Sequence, residues 1–186
     1  MSENPVSAWK GVYCLRDYNP YRFGGSKNPK FVKATDGRLL DFKEGKDYAV
    51  KAETKEFAAG LEKLNLPKGT ILAIVPGHEA KTSNAGTALA RAAEALAKGD
   101  DRFVARVDTL IRTKSIPKLA KGGDRSVEVH LASMSVSNPG LMKKQTVVVL
   151  DDTVTSEGSV TAARALLEKV GATVAAVGLG RTVQYF

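Results

Sequence analysis

An α/β fold, a parallel sheet flanked by helices with a small N-terminal β-rich hood, follows from three features of the sequence. The C-terminal half alternates short aliphatic runs with amphipathic stretches, the strand–helix–strand grammar of a parallel sheet. Those runs, Thr146-Val-Val-Val-Leu150 among them, are apolar on every side chain or nearly so, as strands covered on both faces are. The aromatic residues Tyr13, Tyr18, Tyr21, Phe23, Phe31, Phe42 and Tyr48 gather instead in the first 50 positions. There the turn signals Asn19-Pro20, Gly24-Gly25 and Asp36-Gly37 mark a different, antiparallel construction.

Taken in chain order, Val32 to Leu40 reads as a hairpin turning at Asp36-Gly37, and a helix is expected over about 52–64. Thr70-Ile-Leu-Ala-Ile-Val75 is the first buried strand and runs into Pro76-Gly77-His78. An alanine-rich helix follows, with Ala85, Leu89, Ala92, Ala93 and Leu96 on one face. Phe103–Val107 and Val127–Leu131 are two further strands, the second alternating apolar and polar as an edge strand does. Between them lies a basic segment with Gly122-Gly123 at its tip, and a loop of that length inside a compact domain marks a lid. The strand 146–150 ends abruptly at Asp151-Asp152 and a loop. Val160, Ala163, Leu167 and Val170 then space out a helix over 158–170, which Gly171 caps. Thr173–Leu179 is the last strand, and the crossover into it is right-handed. Residues 1–69 thus form the hood and a linking helix, residues 70–186 the core, in one compact unit.

A chain of 186 residues buries about 70% of its surface on folding, so a full core forms without staples. The single cysteine, Cys14, excludes an internal disulfide and a structural zinc site, and reads as a buried small hydrophobe. No apolar run reaches the ~20 residues of a membrane span, and Met-Ser-Glu-Asn-Pro resembles no export signal, so the expected location is the cytoplasm. The net charge of +8 favours polyanions, either nucleic acid or phosphorylated metabolites. Seven Lys and Arg against two Asp over residues 102–125 concentrate that charge in the basic segment, which as it stands is equally a solvated loop.

Ligands of open α/β sheets sit at the carboxyl ends of the strands. After Leu150 the chain reads Asp151-Asp152-Thr153-Val154-Thr155-Ser156-Glu157-Gly158-Ser159. Paired carboxylates suit a sugar diol or a magnesium ion. Small hydroxyl residues and a glycine opening a helix suit a phosphate, since unpaired N–H groups and the positive end of the helix dipole converge there. His78, at a Pro-Gly turn after a strand, is placed for ligand contact, whereas His130 inside a strand pattern reads as structural. Gly178-x-Gly180 lacks the third glycine and following helix of a dinucleotide fingerprint.

Val147 to Ser159 resembles the fingerprint of the type I phosphoribosyltransferases: a hydrophobic strand, two acidic residues, then a loop of threonine, serine and glycine. Within that family the likeness runs to ComF-type proteins over roughly residues 70–183. Ile74-Val-Pro-Gly-His78 is similar to their Val-Pro-x-His turn, Gly178-Leu-Gly-Arg-Thr182 to their closing strand, and Arg125 to an arginine ahead of a strand. The zinc-binding cysteines typical of ComF N-termini are absent. The resemblance implies transfer of ribosyl 5-phosphate from phosphoribosyl pyrophosphate (PRPP) to a nitrogen acceptor, with Mg²⁺ as cofactor, and a homodimer. By it, Asp151 and Asp152 are the catalytic acids, holding the ribose hydroxyls and the metal directly or through water. Thr153 and Thr155 to Ser159 would cradle the 5′-phosphate of PRPP or a nucleoside monophosphate. Pro76, Gly77 and His78 would meet pyrophosphate, a non-proline cis bond being expected at Pro76-Gly77 or Gly77-His78, and Arg112, Lys114 or Arg125 would cover it. The other reading is a non-catalytic protein of the same fold that binds a nucleotide or nucleic acid.

Glu157 departs from the pattern, standing where the family carries glycine. A carboxylate about 4 Å from a phosphate repels it by about 1 kcal/mol per charge pair in water, more at lower dielectric. Three arrangements are open: the side chain fills part of the anion site; Ser156 caps the helix while Glu157 complements its dipole; or Glu157 points outward and Gly158 supplies the close approach.

Overall fold

Aliphatic strands with no polar face must be covered on both sides, and the chain meets that demand with one central sheet. A computed structural model describes residues 7–9, 11–23, 25–117 and 126–183. The sheet takes the order β1 (Ser7–Trp9), β2 (Val12–Tyr18), β10 (Thr173–Thr182), β9 (Thr146–Val154), β5 (Thr70–Ile74), β6 (Phe103–Ala105). β2, β10, β9, β5 and β6 run parallel, and only β1, at the edge, is antiparallel. Parallel neighbours need crossovers, and helices supply them: α3 (Ala88–Gly99) joins β5 to β6, and α5 (Gly158–Lys169) joins β9 to β10. α1 (Arg38–Lys43) and α2 (Asp47–Leu61) lie between β2 and β5 in the chain.

Period-two alternation divides β9 between two cores. Val148 and Leu150 pack with Phe42, Phe57, Leu61, Leu72, Ile74 and Leu89 beneath α1, α2 and α3. Val147 and Val149 pack with Val12, Cys14, Ile71, Ala73, Val160, Ala163 and Leu167 beneath α5. Glycines permit close approaches in the core. A Cβ at Gly60 of α2 would lie 2.3 Å from Leu15 Cδ2, and one at Gly178 of β10 would lie 2.6 Å from Val154 Cγ2.

Several local expectations are corrected. Val32 to Leu40 is no hairpin: Lys33–Gly37 is a π-helical stretch leading into α1. A type I′ turn needs positive φ at Gly37, which instead has φ −65°. The buried Asp36 carboxylate accepts from the N–H of Val32 (2.8 Å) and of Asn19 (3.1 Å), organising the helix entry. The small hairpin that does form joins β3 (Arg22–Phe23) to β4 (Ser26–Lys27). Val127–Leu131 is likewise helical, as α4 (Val127–Ser133), with the Ser126 hydroxyl capping the Val129 N–H; burial of His130 and Ser133 follows helical spacing rather than alternation. The basic segment is partly structured, since β7 (Leu110–Arg112) pairs antiparallel with β8 (Met134–Val136). Its glycine tip lies outside the described residues. The expected helix 52–64 starts earlier, at Asp47, and the strand expected to end at Leu150 runs on to Val154.

β2, α1 and α2 are tied together by one buried acid. Glu53 of α2 is fully buried; Arg16 of β2 donates to both its oxygens at 2.8 and 2.7 Å, and Arg38 Nε of α1 donates to Oε1 at 2.8 Å. Withdrawing the negative charge strands two guanidinium groups. Glu53→Gln is therefore expected to cost about 3 kcal/mol, seen as a lower urea midpoint at unchanged m-value.

Candidate functional site

β5 and β9 are adjacent and parallel, so their carboxyl ends open at the same place; the Val75 N–H donates to Leu150 O at 3.0 Å. Pro76-Gly77-His78 therefore leaves the sheet beside Asp151 and Asp152. Pro76 is buried and Gly77 exposed, with no heavy atom within 4 Å of where its Cβ would stand. His78 is about one-third exposed, with Nε2 at 3.9 Å from Glu79 Oε1. No cis peptide occurs among the described residues, so the expected strained bond is not found at this turn.

The two acids stand on one strand, not in a loop, and consecutive strand residues face opposite sides. Asp151 shares the α5 side with Val147 and Val149; it is paired in register with Gly178 of β10, which is paired in turn with Cys14 of β2. It is 8% exposed and its Oδ1 accepts from the Asp152 N–H at 2.8 Å. Its carboxyl is pushed up to about 8, first by loss of hydration and then by the Asp152 charge; Lys43 and the backbone N–H groups of Asp152 and Thr153 pull the other way. Asp152 faces the α1 side, where Lys43 Nζ sits 3.0 Å from its Oδ1. Burial works against the Lys43 charge, but Asp152 and then Asp151 outweigh it and raise the ammonium above its ordinary value.

This donor set does not fit a magnesium ion bound by the two carboxylates. An octahedral ion with hard oxygen ligands wants convergent carboxylates. Here the pair diverges across the strand, one acid favours its protonated form near neutrality, and a lysine holds the other. Among the described residues no cluster of three or more His, Cys, Asp or Glu could hold a metal ion.

Because β9 continues to Val154, the expected phosphate loop shrinks to Thr155, Ser156 and Glu157 before α5 begins at Gly158. Thr153 lies within the strand, opposite Gly180, and its Oγ1 is buried without a hydrogen-bond partner. The Thr155 hydroxyl is engaged with that of Thr182 at 2.7 Å. Glu157, not Ser156, is the N-cap residue of α5, and no side chain caps the helix. Glu157 is half-buried, and its charge reaches Cys14, whose thiol is pushed up to about 11, chiefly by burial. The outward-pointing arrangement is thus not the one adopted. Gly158 is buried and Ser159 half-buried at the first turn of the helix.

Of the three cations assigned to a lid, Arg112 is 2% exposed and serves as an internal clamp. Its Nε donates to Gly77 O (2.9 Å), Nη2 to Pro76 O (3.3 Å) and Nη1 to Ser133 Oγ (2.6 Å), with His130 Nδ1 3.5 Å from both terminal nitrogens. The guanidinium fork suits three acceptors converging from two segments, which is why an arginine in a basic stretch is drawn inside. Lys114 is exposed, and Arg125 lies outside the described residues. The chain after β7 runs along the first loop: Lys81 N–H donates to Arg112 O and Ile116 N–H to His78 O, each at 2.9 Å.

Lys43 reaches the site without having been marked by sequence: it belongs to no motif, and only the packing of α1 brings it there. Thr182 ends the Gly178–Thr182 stretch quoted from the sequence, but its contact with Thr155 depends on the register of β10. A cavity of about 270 Å³ lies elsewhere, lined by residues 105–109 with Ser137, Asn138, Leu141 and Met142, and includes none of the sequence-predicted residues.

No protein-family model matches the chain, and no curated protein matches it. Among solved structures, it is similar to one from work on the C-terminal region, oligomeric state and enzymatic activity of Trypanosoma cruzi hypoxanthine phosphoribosyl transferase. The two are 14% identical, with 82% of this chain and 71% of that one covered and a TM-score of 0.40. No helix among the described residues is long and apolar enough to cross a membrane.

Asp151 gives this site a pH signature. With a folded value near 8 against about 4 unfolded, folding favours the protonated carboxyl, so the contribution of Asp151 to stability is fullest at or below about pH 4 and is lost as pH climbs toward 8. Asp151→Asn is expected to flatten that slope and to melt above the wild type at about pH 8, checked by thermal melts across the range.

Proposed function

We propose that the chain binds a 5-phosphorylated ribose, as PRPP or a nucleoside monophosphate, and transfers ribosyl 5-phosphate to a nitrogenous acceptor in the manner of type I phosphoribosyltransferases, ComF-type proteins in particular. One observation carries this: the Pro76–His78 turn and the Asp151–Ser159 stretch open side by side at adjacent parallel strand ends, with the twelve-residue helix α5 starting there uncapped by any side chain. The first N–H groups of α5, with Ser156 and Ser159, receive the 5′-phosphate. Asp151 and Asp152 meet the ribose hydroxyls, and Gly77 and His78 meet the diphosphate. The hood is drawn from residues 1–69, apart from β1 and β2 in the sheet, and Lys114 belongs to the lid. As pyrophosphate leaves C1 an oxocarbenium-like centre develops, and what the protein contributes is position, charge and exclusion of water. Magnesium enters only as the counter-ion that a diphosphate carries with it. The proposed setting is a cytoplasmic homodimer.

A second reading, a non-catalytic protein of this fold that binds a nucleotide or nucleic acid in a regulatory or DNA-processing role, is favoured by Glu157. That carboxylate stands at the helix start where a phosphate would lie.

Thermal melting separates the two. PRPP with Mg²⁺ at about 100 times Kd adds about 2.7 kcal/mol, a rise of about 5–10 °C for a chain of this size. Glu157→Gly is expected to tighten binding about fivefold or more by removing a repulsion of about 1 kcal/mol. Steeply salt-dependent nucleic-acid binding without any response to PRPP would favour the second reading.

A further inference from the structure

Lys43 is the last residue of α1, and that helix is not free to move. Leu39 and Phe42 are fully buried in the core, and Arg38 is held by Glu53, which also grips Arg16 of β2. The side chain so positioned is 39% exposed and places its ammonium 3.0 Å from Asp152 Oδ1. Its charge also acts on Asp151.

A carboxylate at the end of a buried strand, with a second carboxyl on the next residue, is held ionised more readily when a cation stands beside it. A divalent metal is one solution; here the protein supplies its own. Lys43 holds Asp152, the more exposed of the two acids, at 3.0 Å, and Asp151 is 8% exposed on the other side of the strand, so the carboxylate open to solvent already has its cation. An ammonium has three N–H donors and Asp152 takes one, which leaves the head group able to donate to a hydroxyl of a sugar lying against Asp152.

We propose that Lys43 is the resident cation of the Asp151–Asp152 pair, so that the empty site binds no divalent metal and the ribose phosphate is taken without one. The ligand half of this proposal rests on the ribose-phosphate reading above; the metal half does not. Lys43 is accordingly a binding residue on the hood side of the sugar, and the device is specific to a ligand whose hydroxyls face the acids.

The metal half is tested with Mn²⁺ alone, by electron paramagnetic resonance on the full chain. Wild type is expected to leave Mn²⁺ free, while Lys43→Met binds it at least about tenfold more tightly, since Asp152 loses its cation. Tight Mn²⁺ binding by wild type that disappears in Asp152→Asn would overturn it. The ligand half is tested by calorimetry with ribose 5-phosphate in EDTA and in Mg²⁺. The expected result is equal affinity within about twofold for wild type, a loss of about tenfold or more for Lys43→Met in EDTA, and retention in Lys43→Arg, the charge-assisted hydrogen bond being what is lost. Binding that requires Mg²⁺ overturns the proposal while leaving the ribose-phosphate reading standing. No binding in either buffer overturns that reading and the ligand half with it, and the manganese result still decides the rest. Because the decisive Mn²⁺ and EDTA comparisons are made on wild type, a variant that misfolds does not shield the idea.

Discussion

Four aliphatic residues, Val147 to Leu150, are sealed from water on both faces and then give way to two acids. Burial on both sides is what a central parallel strand requires, and it removes the solvent that would ordinarily stabilise a carboxylate. Much around the end of β9 answers that cost. The strand continues past the acids and sends them to opposite sides; Asp151 moves toward its neutral form; Asp152 acquires a lysine from a helix far upstream.

The N-terminal residues matter to this balance. β2 is hydrogen-bonded to β10 and lies inside the sheet, so the first part of the chain is built into the core that carries the acids. Glu53 with its two arginines, Asp36 at the helix entry and the close contact at Gly60 fix α1 and α2 against that sheet. A lysine on a fixed helix is a more exact counter-charge than one on a loop, because less side-chain freedom is surrendered in forming the pair.

The strands that are apolar runs with no competing pattern were legible: 70–75, 146–150 and 173–179 all appear in the central layer, and the helices after β5 and β9 follow from three- and four-residue spacing, whereas β2, expected in an antiparallel hood, pairs parallel with β10 inside the sheet. The errors fall on short stretches where two periods agree. Val-Glu-Val-His-Leu alternates, yet a serine just ahead of it can cap a helix, and the cap with its tertiary partners won. Asp36-Gly37 has the composition of a tight turn, but the aspartate is consumed as an acceptor for the N–H of Val32 four residues before it and of the more distant Asn19. At the site, the acids and the first turn could be read locally. Lys43 and the inward course of Arg112 could not, since each depends on acceptors contributed by other parts of the chain.

The Arg112 clamp joins the loop after β5, the strand pair β7–β8 and α4 into one mechanical piece. Ser133 is a small buried residue at the far end of α4, yet its hydroxyl anchors the same guanidinium that steadies the carbonyls of Pro76 and Gly77. A screen for variants with a slackened first loop would accordingly return hits at Ser133, a position no inspection of the loop itself would suggest.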